Sequence, residues 1–188
     1  MQSIWTSGQG LAGFRKLMTG AVSATMSMAL VAAGLLLSIP CARAQTPVAI
    51  ADHDFIVAAA QGGLTEVKLG ELAAKKGTRD DVKAFGQMMV KDHSAINDDL
   101  KALAAQKGVA LPDGLDTKHQ ALLDKLTALP DTDFDDAYIS AMIKGHKKDA
   151  KAFTAESADT KDPDLKSFLD KSTPIVEAHL EHVTAMKK

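Results

Sequence analysis

Residues 82–103 read VKAFGQMMVKDHSAINDDLKAL, with apolar side chains at Val82, Phe85, Met89, Ile96, Leu100 and Leu103. Steps of three, four and seven residues put these side chains on one face of an α-helix, because a turn takes 3.6 residues. The widest gap, between Met89 and Ile96, is filled at helical spacing by His93, in the middle of the apolar stripe. One segment thus carries two features, a long amphipathic helix and an ionisable side chain turned towards the core.

The flanking sequence repeats the pattern without any run that alternates like a strand. A first helix is expected over 52–76, stopping at Gly77, a residue suited to the left-handed position that ends many helices. The helix quoted above starts at Thr78 or Arg79 and ends at Gly108. A polar stretch with Pro112 and Gly114 leads into a short helix over 116–129, closed by Pro130. The third long helix starts at Thr132 or Asp133 and runs to residue 159, with acids in its first turn where they complement the helix dipole. The fourth opens with Asp162-Pro163, an N-cap followed by proline at the first helical position, and runs to 186 with a kink expected at Pro174. Four helices, each about 40 Å long at 1.5 Å per residue, predict an all-α, antiparallel four-helix bundle with an extra short helix between the second and third long ones.

Projection at 100° per residue shows what lies at the centre of each apolar face. In the first helix, Phe55, Ala59, Gly62, Leu69, Gly70 and Ala73 surround Glu66. In the third, Ile139, Met142, Ile143, Ala150 and Phe153 surround His146, and in the fourth Leu165, Phe168, Ile175, Val176, Val183 and Met186 surround His179. Glu66 and His93 fall about 16 to 21 Å from the turn joining their helices, and His146 and His179 about 21 to 25 Å from theirs. All four groups are therefore expected near mid-height.

One carboxylate and three imidazoles converging from four helices suit a first-row transition metal such as Fe, Zn or Cu. The same four groups also suit a metal-free hydrogen-bonded network that sets helix register. Met89 lies four residues before His93, Met142 four before His146, and Met186 four after His182, which places thioethers beside imidazoles on shared faces. Thioether donors favour Cu(I), although methionine is also ordinary core packing. His182 is offset by about 60° from His179, where it serves as a fourth imidazole or a surface group. Asp92 is placed to orient His93 or to face solvent, and Tyr138 to anchor the third helix with its hydroxyl near water. Glu71, His53 and His119 read as surface groups.

The chain has 188 residues, 46% apolar and 4% aromatic, a composition that suits one domain. Residues 1–44 contain no acid and only Arg15, Lys16 and Arg43 as bases, leaving 19 basic against 24 acidic residues in the remainder. That acidic balance argues against a nucleic-acid or anionic-membrane surface, which needs clustered Lys and Arg. Arg15 and Lys16 precede an apolar core densest over 28–39, and Ala42-Arg43-Ala44 supplies the small residues of a signal-peptidase site. Cleavage there makes 1–44 a signal peptide, 45–51 a linker and 52–188 an exported helical domain, periplasmic or secreted, with no membrane insertion of the mature chain. The rival is an uncleaved anchor over 21–39, about long enough to span a bilayer. The single cysteine, Cys41, lies in the leader, so neither disulfides nor thiolate ligands are available downstream. No phosphate loop, dinucleotide fingerprint or nucleophile elbow occurs after residue 44.

Four motifs together resemble the domain of unknown function 4142 family of ferritin-like bacterial envelope proteins. They are Gly62-Gly63-Leu64-Thr65-Glu66, Met89-Val90-Lys91-Asp92-His93, Phe134-Asp135-Asp136-Ala137-Tyr138 with His146, and Thr173-Pro174 with His179. The resemblance covers roughly residues 52–186 and implies a ferritin-like bundle and an exported protein, with no established reaction. A di-iron ferritin would place Glu three residues before a histidine on two helices. Here Val90, Ile143, Val176 and His179 stand three residues before His93, His146, His179 and His182, which argues against ferroxidase or iron-storage activity.

Overall fold

The computed structural model describes residues 48–187, so the leader over 1–44 and the start of the linker lie outside the described residues. Five helices and no strand occur among them: α1 (Ile50–Lys76), α2 (Asp80–Lys107), α3 (Thr117–Ala128), α4 (Asp131–Asp159) and α5 (Pro163–Ala185). α1 begins inside the stretch read as linker, and α5 continues as helix through Pro174.

Local chemistry sets most of the helix ends. The Asp162 carboxylate accepts from the backbone N–H groups of Asp164 and Leu165 at 2.9 and 3.1 Å, with Pro163 following where a missing N–H costs nothing. Asp116 opens α3 by accepting from the His119 backbone N–H at 2.8 Å. α2 ends at Gly108 in the left-handed conformation, φ 68° and ψ 24°. Gly77 departs from expectation, with φ −52° and ψ 138°, so it does not take the left-handed position. Crowding explains the glycine instead: a Cβ there would lie 2.7 Å from the Ala73 carbonyl oxygen and 3.0 Å from Val82 Cγ1.

The start of α2 has no side-chain cap of its own and is capped from another helix. Buried Asp135 of α4 accepts from the backbone N–H groups of Thr78 and Arg79 at 3.1 and 2.8 Å, and from the Thr78 hydroxyl at 2.5 Å. At this same end Lys76 pairs with Asp131 at 2.8 Å, and Arg79 donates to the Met186 carbonyl at 3.1 Å. At the other end Lys107 bridges Asp162 and Asp164 at 2.6 and 2.7 Å, while Thr160 donates to Asp52 at 3.1 Å. α2 and α4 therefore both start at the first end, and the connection between them travels back along the molecule. Gln61 pins that connection to α1, donating to the Gly114 carbonyl at 2.9 Å and accepting from the Asp116 N–H at 3.0 Å. α3 then packs on α1 and α4.

α1 packs chiefly on α2 and α4 on α5, and the two pairs meet through α1 with α4 and α2 with α5. The core has two apolar clusters. One holds Ile56, Ile96, Leu100, Phe153, Leu165 and Phe168; the other holds Leu69, Phe85, Met89, Phe134, Met142 and Val183. On every long helix the sequence-predicted inward group falls between members of the two clusters: Glu66 between Ala60 and Leu69, His93 between Met89 and Ile96, His146 between Met142 and Phe153, His179 between Val176 and Val183. Ile175, expected beside His179, is 37% exposed, whereas Leu169 and Ser172 are buried. Packing against α4 and α2 turns the buried face of α5 away from Ile175.

α1 and α2 approach most closely at two glycines. A Cβ on Gly70 would lie 2.7 Å from the Gly86 carbonyl oxygen, and a Cβ on Gly86 would lie 2.7 Å from the Gly70 carbonyl oxygen and 2.9 Å from Ala73 Cβ. Alanine at either position gains up to about 1 kcal/mol of helix propensity. Because backbone faces backbone, overpacking of about 3 kcal/mol wins. Gly86→Ala is therefore expected to lower stability by about 2 kcal/mol in urea unfolding, and an unchanged midpoint would show that the helices can separate there.

Candidate metal centre

The three inward histidines meet in the layer between the two apolar clusters. His93, His146 and His179 are 5%, 0% and 2% exposed. Ring centroids are 5.6 Å apart for His93 and His146, 5.3 Å for His93 and His179, and 5.6 Å for His146 and His179. Each ring offers one nitrogen that lies within 4.8 Å of the other two.

Their outer hydrogen bonds decide which nitrogens carry lone pairs. His146 Nδ1 lies 3.0 Å from the Met142 carbonyl oxygen, which can only accept, so the proton is on Nδ1 and the lone pair on Nε2. His179 Nε2 lies 3.1 Å from Asp92 Oδ2, so Nε2–H donates to the carboxylate and Nδ1 keeps the lone pair. These two lone-pair nitrogens, together with His93 Nε2, are buried and have no hydrogen-bond partner. Asp92 thus orients His179 across the helix interface instead of His93 on its own helix.

Glu66 is buried beside the histidines but does not join their group, its Oε1 standing 3.8 Å from His146 Nδ1. Oε1 would also lie 3.0 Å from a Cβ at Gly145, so the glycine makes room for the carboxyl. Glu66 Oε2 has no partner. Of the other residues singled out from the sequence, Met89 and Met142 belong to the apolar cluster next to the histidines, as does Met186. His182 is exposed and lies edge-on to Phe85 at 5.3 Å, apart from the three buried imidazoles. Tyr138 is not near water as expected: it is fully buried, stacked 5.8 Å from Phe134, and its hydroxyl has no partner. His53 is exposed, and half-buried His119 contacts Asp116 at 2.8 Å.

Burial dominates the electrostatics. Desolvation, reinforced by His146 and His179, pushes the His93 pKa down to about 3. His146 falls to about 4, again chiefly by desolvation, which outweighs the Met142 carbonyl bond that favours its charged form. Burial, then the nearby Asp149 charge, raises Glu66 to about 8. At neutral pH His93 and His146 are thus neutral and ready to donate to a cation without first losing a proton.

These shifts fix a pH dependence for the metal-free protein. Histidines that stay neutral when folded but titrate near 6.5 when unfolded withdraw stability as pH falls below about 6.5. Glu66 acts oppositely, because its contribution is complete below 4.5 and is lost as pH rises through about 8. Two histidines outweigh one glutamate on the acid side, and the glutamate acts alone on the basic side. Stability should peak between about pH 6 and 7, as read by thermal melts in chelator, and a monotonic rise to about pH 9 would contradict this assignment.

The fold and this layer define an all-helical protein with a buried group of three histidines. The chain belongs to the DUF4142 family, described as a domain of unknown function, which it matches over residues 39–186. No curated protein is a significant match. Among solved structures, a DUF305 fragment from Deinococcus radiodurans aligns with TM-score 0.67 at 11% identity, covering 76% of this chain and 98% of that one. CopM in the Cu(II)-bound form aligns with TM-score 0.62 at 18% identity, covering 72% of this chain and 95% of that one. At these identities the likeness concerns the fold. Among the described residues no helix is long and apolar enough to cross a membrane.

Sequence reading missed Asp149, three residues after His146 on the same helical face, although that spacing was a usable signal. It also missed the cap Asp135, because nothing local to α4 reveals which helix end its carboxylate serves.

Proposed function

We propose that this is an exported, ferritin-like four-helix-bundle protein that binds one transition-metal ion through His93, His146 and His179. The observation carrying this reading is the set of three buried, unpartnered imidazole nitrogens, two of them held as lone-pair donors by bonds on the far side of the ring. Leaving such atoms without a partner costs about 1 to 3 kcal/mol each, and a cation would satisfy all three at once. A tetrahedral ion with bonds of about 2.1 Å needs nitrogens about 3.4 Å apart, so loading would draw the rings together. Glu66 stands close enough to supply charge compensation once a bound cation displaces its proton, or a fourth donor after a side-chain rotation.

Of Fe, Zn and Cu, the last two suit an imidazole-rich donor set best. Similarity of fold to a protein solved with Cu(II) adds support for copper. The bundle reading is supported by long helices paired α1 with α2 and α4 with α5, and by one connection running the length of the molecule, as ferritin-like folds have. The competing reading, a metal-free polar network, would need Glu66 to accept from the histidines. The 3.8 Å separation from His146 Nδ1 is too long for that bond. We assign the leader 1–44 as a cleaved export signal and the mature chain to the periplasm or the medium, without nucleic-acid partners.

Protein purified after dialysis against Zn(II) or Cu(II), then against buffer, should retain about one ion per chain in elemental analysis, as three-imidazole sites do. Retention no greater than that of a variant lacking all three histidines would reject the reading.

A further inference from the structure

The three histidines are almost wholly buried, so an ion needs a way in. A cavity of about 30 Å³, room for one water-sized occupant, lies against His93 between α1, α2, α4 and α5. Its lining includes Gly62, Gly63, Phe153 and Phe168, and His93 and Asp149 are its only ionisable side chains. The larger groove between α1, α2 and the α2 to α3 connection touches none of the histidines.

Asp149 lines this cavity and is itself partly open to solvent. It is half-buried, and among the described residues its carboxylate makes no hydrogen bond. Burial raises its pKa, Lys148, His119 and Lys118 oppose that rise, and its charge is felt in turn at Glu66. The wall opposite it lacks a side chain, since a Cβ on Gly62 would meet only Asp149 Oδ2, at 3.9 Å. At Gly63 the missing Cβ leaves its space to the Asn97 side chain. One face of the cavity is thus bare backbone at Gly62, and the other presents the Asp149 carboxylate, with His93 also in the lining.

We propose that the divalent cation reaches the histidines through this cavity, held in passing by Asp149 and admitted across the bare wall at Gly62. The proposal rests on the metal-binding reading and assigns Asp149 a role in transit, outside the final set of ligands. A carboxylate oxygen can take the place of a water on a hydrated cation, and a negative charge at the mouth of a low-dielectric passage raises the local cation concentration.

Stopped-flow mixing of the metal-free protein with copper(II) chloride, followed by the visible band of the loaded site, tests it. Asp149→Asn removes the charge at constant shape. Gly62→Leu fills the bare wall with a residue that favours helix and has no close neighbour at Cβ. Asp149→Asn should slow loading about tenfold or more, on the scale of electrostatic focusing, and Gly62→Leu should slow it by obstruction, while final occupancy stays at that of wild type. Wild-type loading rates in both variants would overturn the route while leaving the histidine site intact. Lost final occupancy in Asp149→Asn would overturn it too, by making Asp149 a ligand. Should circular dichroism show Gly62→Leu unfolded, Asp149→Asn decides alone. A wild type that takes up no copper removes the underlying reading and the route together, a result distinct from either of the others.

Discussion

Asp135→Ala is expected to destabilise the metal-free protein by about 3 to 5 kcal/mol, since hydrogen bonds to a buried charged group are worth about 1.5 to 3 kcal/mol each and are not fully additive. The carboxylate crosses from α4 to accept from two backbone N–H groups and one hydroxyl at the start of α2, where Arg79 supplies no cap. Removing it leaves those donors facing a cavity and cuts a tie between the two helix pairs. A domain of this size is stable by about 5 to 15 kcal/mol, so the midpoint in a thermal melt should fall by about 10 to 20 °C. Asp135→Asn keeps one acceptor oxygen and should fall between wild type and alanine. A shift under about 3 °C in the alanine variant would mean that water replaces the carboxylate without loss.

The second large effect separates a metal site from a structural network. Free cation at about 100 times its dissociation constant should stabilise the wild type by about 2.7 kcal/mol, and at about 1,000 times by about 4.1 kcal/mol. His146→Ala should abolish that gain, because this fully buried ring supplies one of the three nitrogens and packs 5.6 Å from each of the other two rings. The same variant in chelator should still lose about 2 kcal/mol or more through the cavity it opens. Identical melting of the wild type with Zn(II), with Cu(II) and with chelator would leave only the structural role.

Much of this was readable from periodicity. His93, His146 and His179 were located because each interrupts an otherwise apolar stripe at helical spacing, and burial follows from that position whatever the partner helix. Glu66 was located the same way and is buried as that position requires, its Oε1 3.8 Å from His146 Nδ1 and outside the group of three imidazoles. Projection gives direction but not the rotamer or the few ångströms of height that separate a neighbour from a donor. Asp92 and Tyr138 failed for a related reason. Each lies off the centre of its stripe, so the adjoining helix determines its surroundings: His179 of α5 for Asp92, the Phe85 and Phe134 rings for Tyr138. Gly77 illustrates a residue type read correctly as a helix stop for the wrong cause, since crowding by the Ala73 carbonyl and Val82 selects it where a left-handed backbone was expected.

X-ray absorption on protein loaded with one equivalent of Zn(II) tests the proposed centre most directly, because imidazole rings give a distinct outer-shell pattern. Three imidazole nitrogens at about 2.0 to 2.1 Å are expected, with any fourth ligand from oxygen, and the imidazole count should fall in His146→Ala. A shell of oxygen alone, or a spectrum unchanged by His146→Ala, would contradict a metal centre built on His93, His146 and His179.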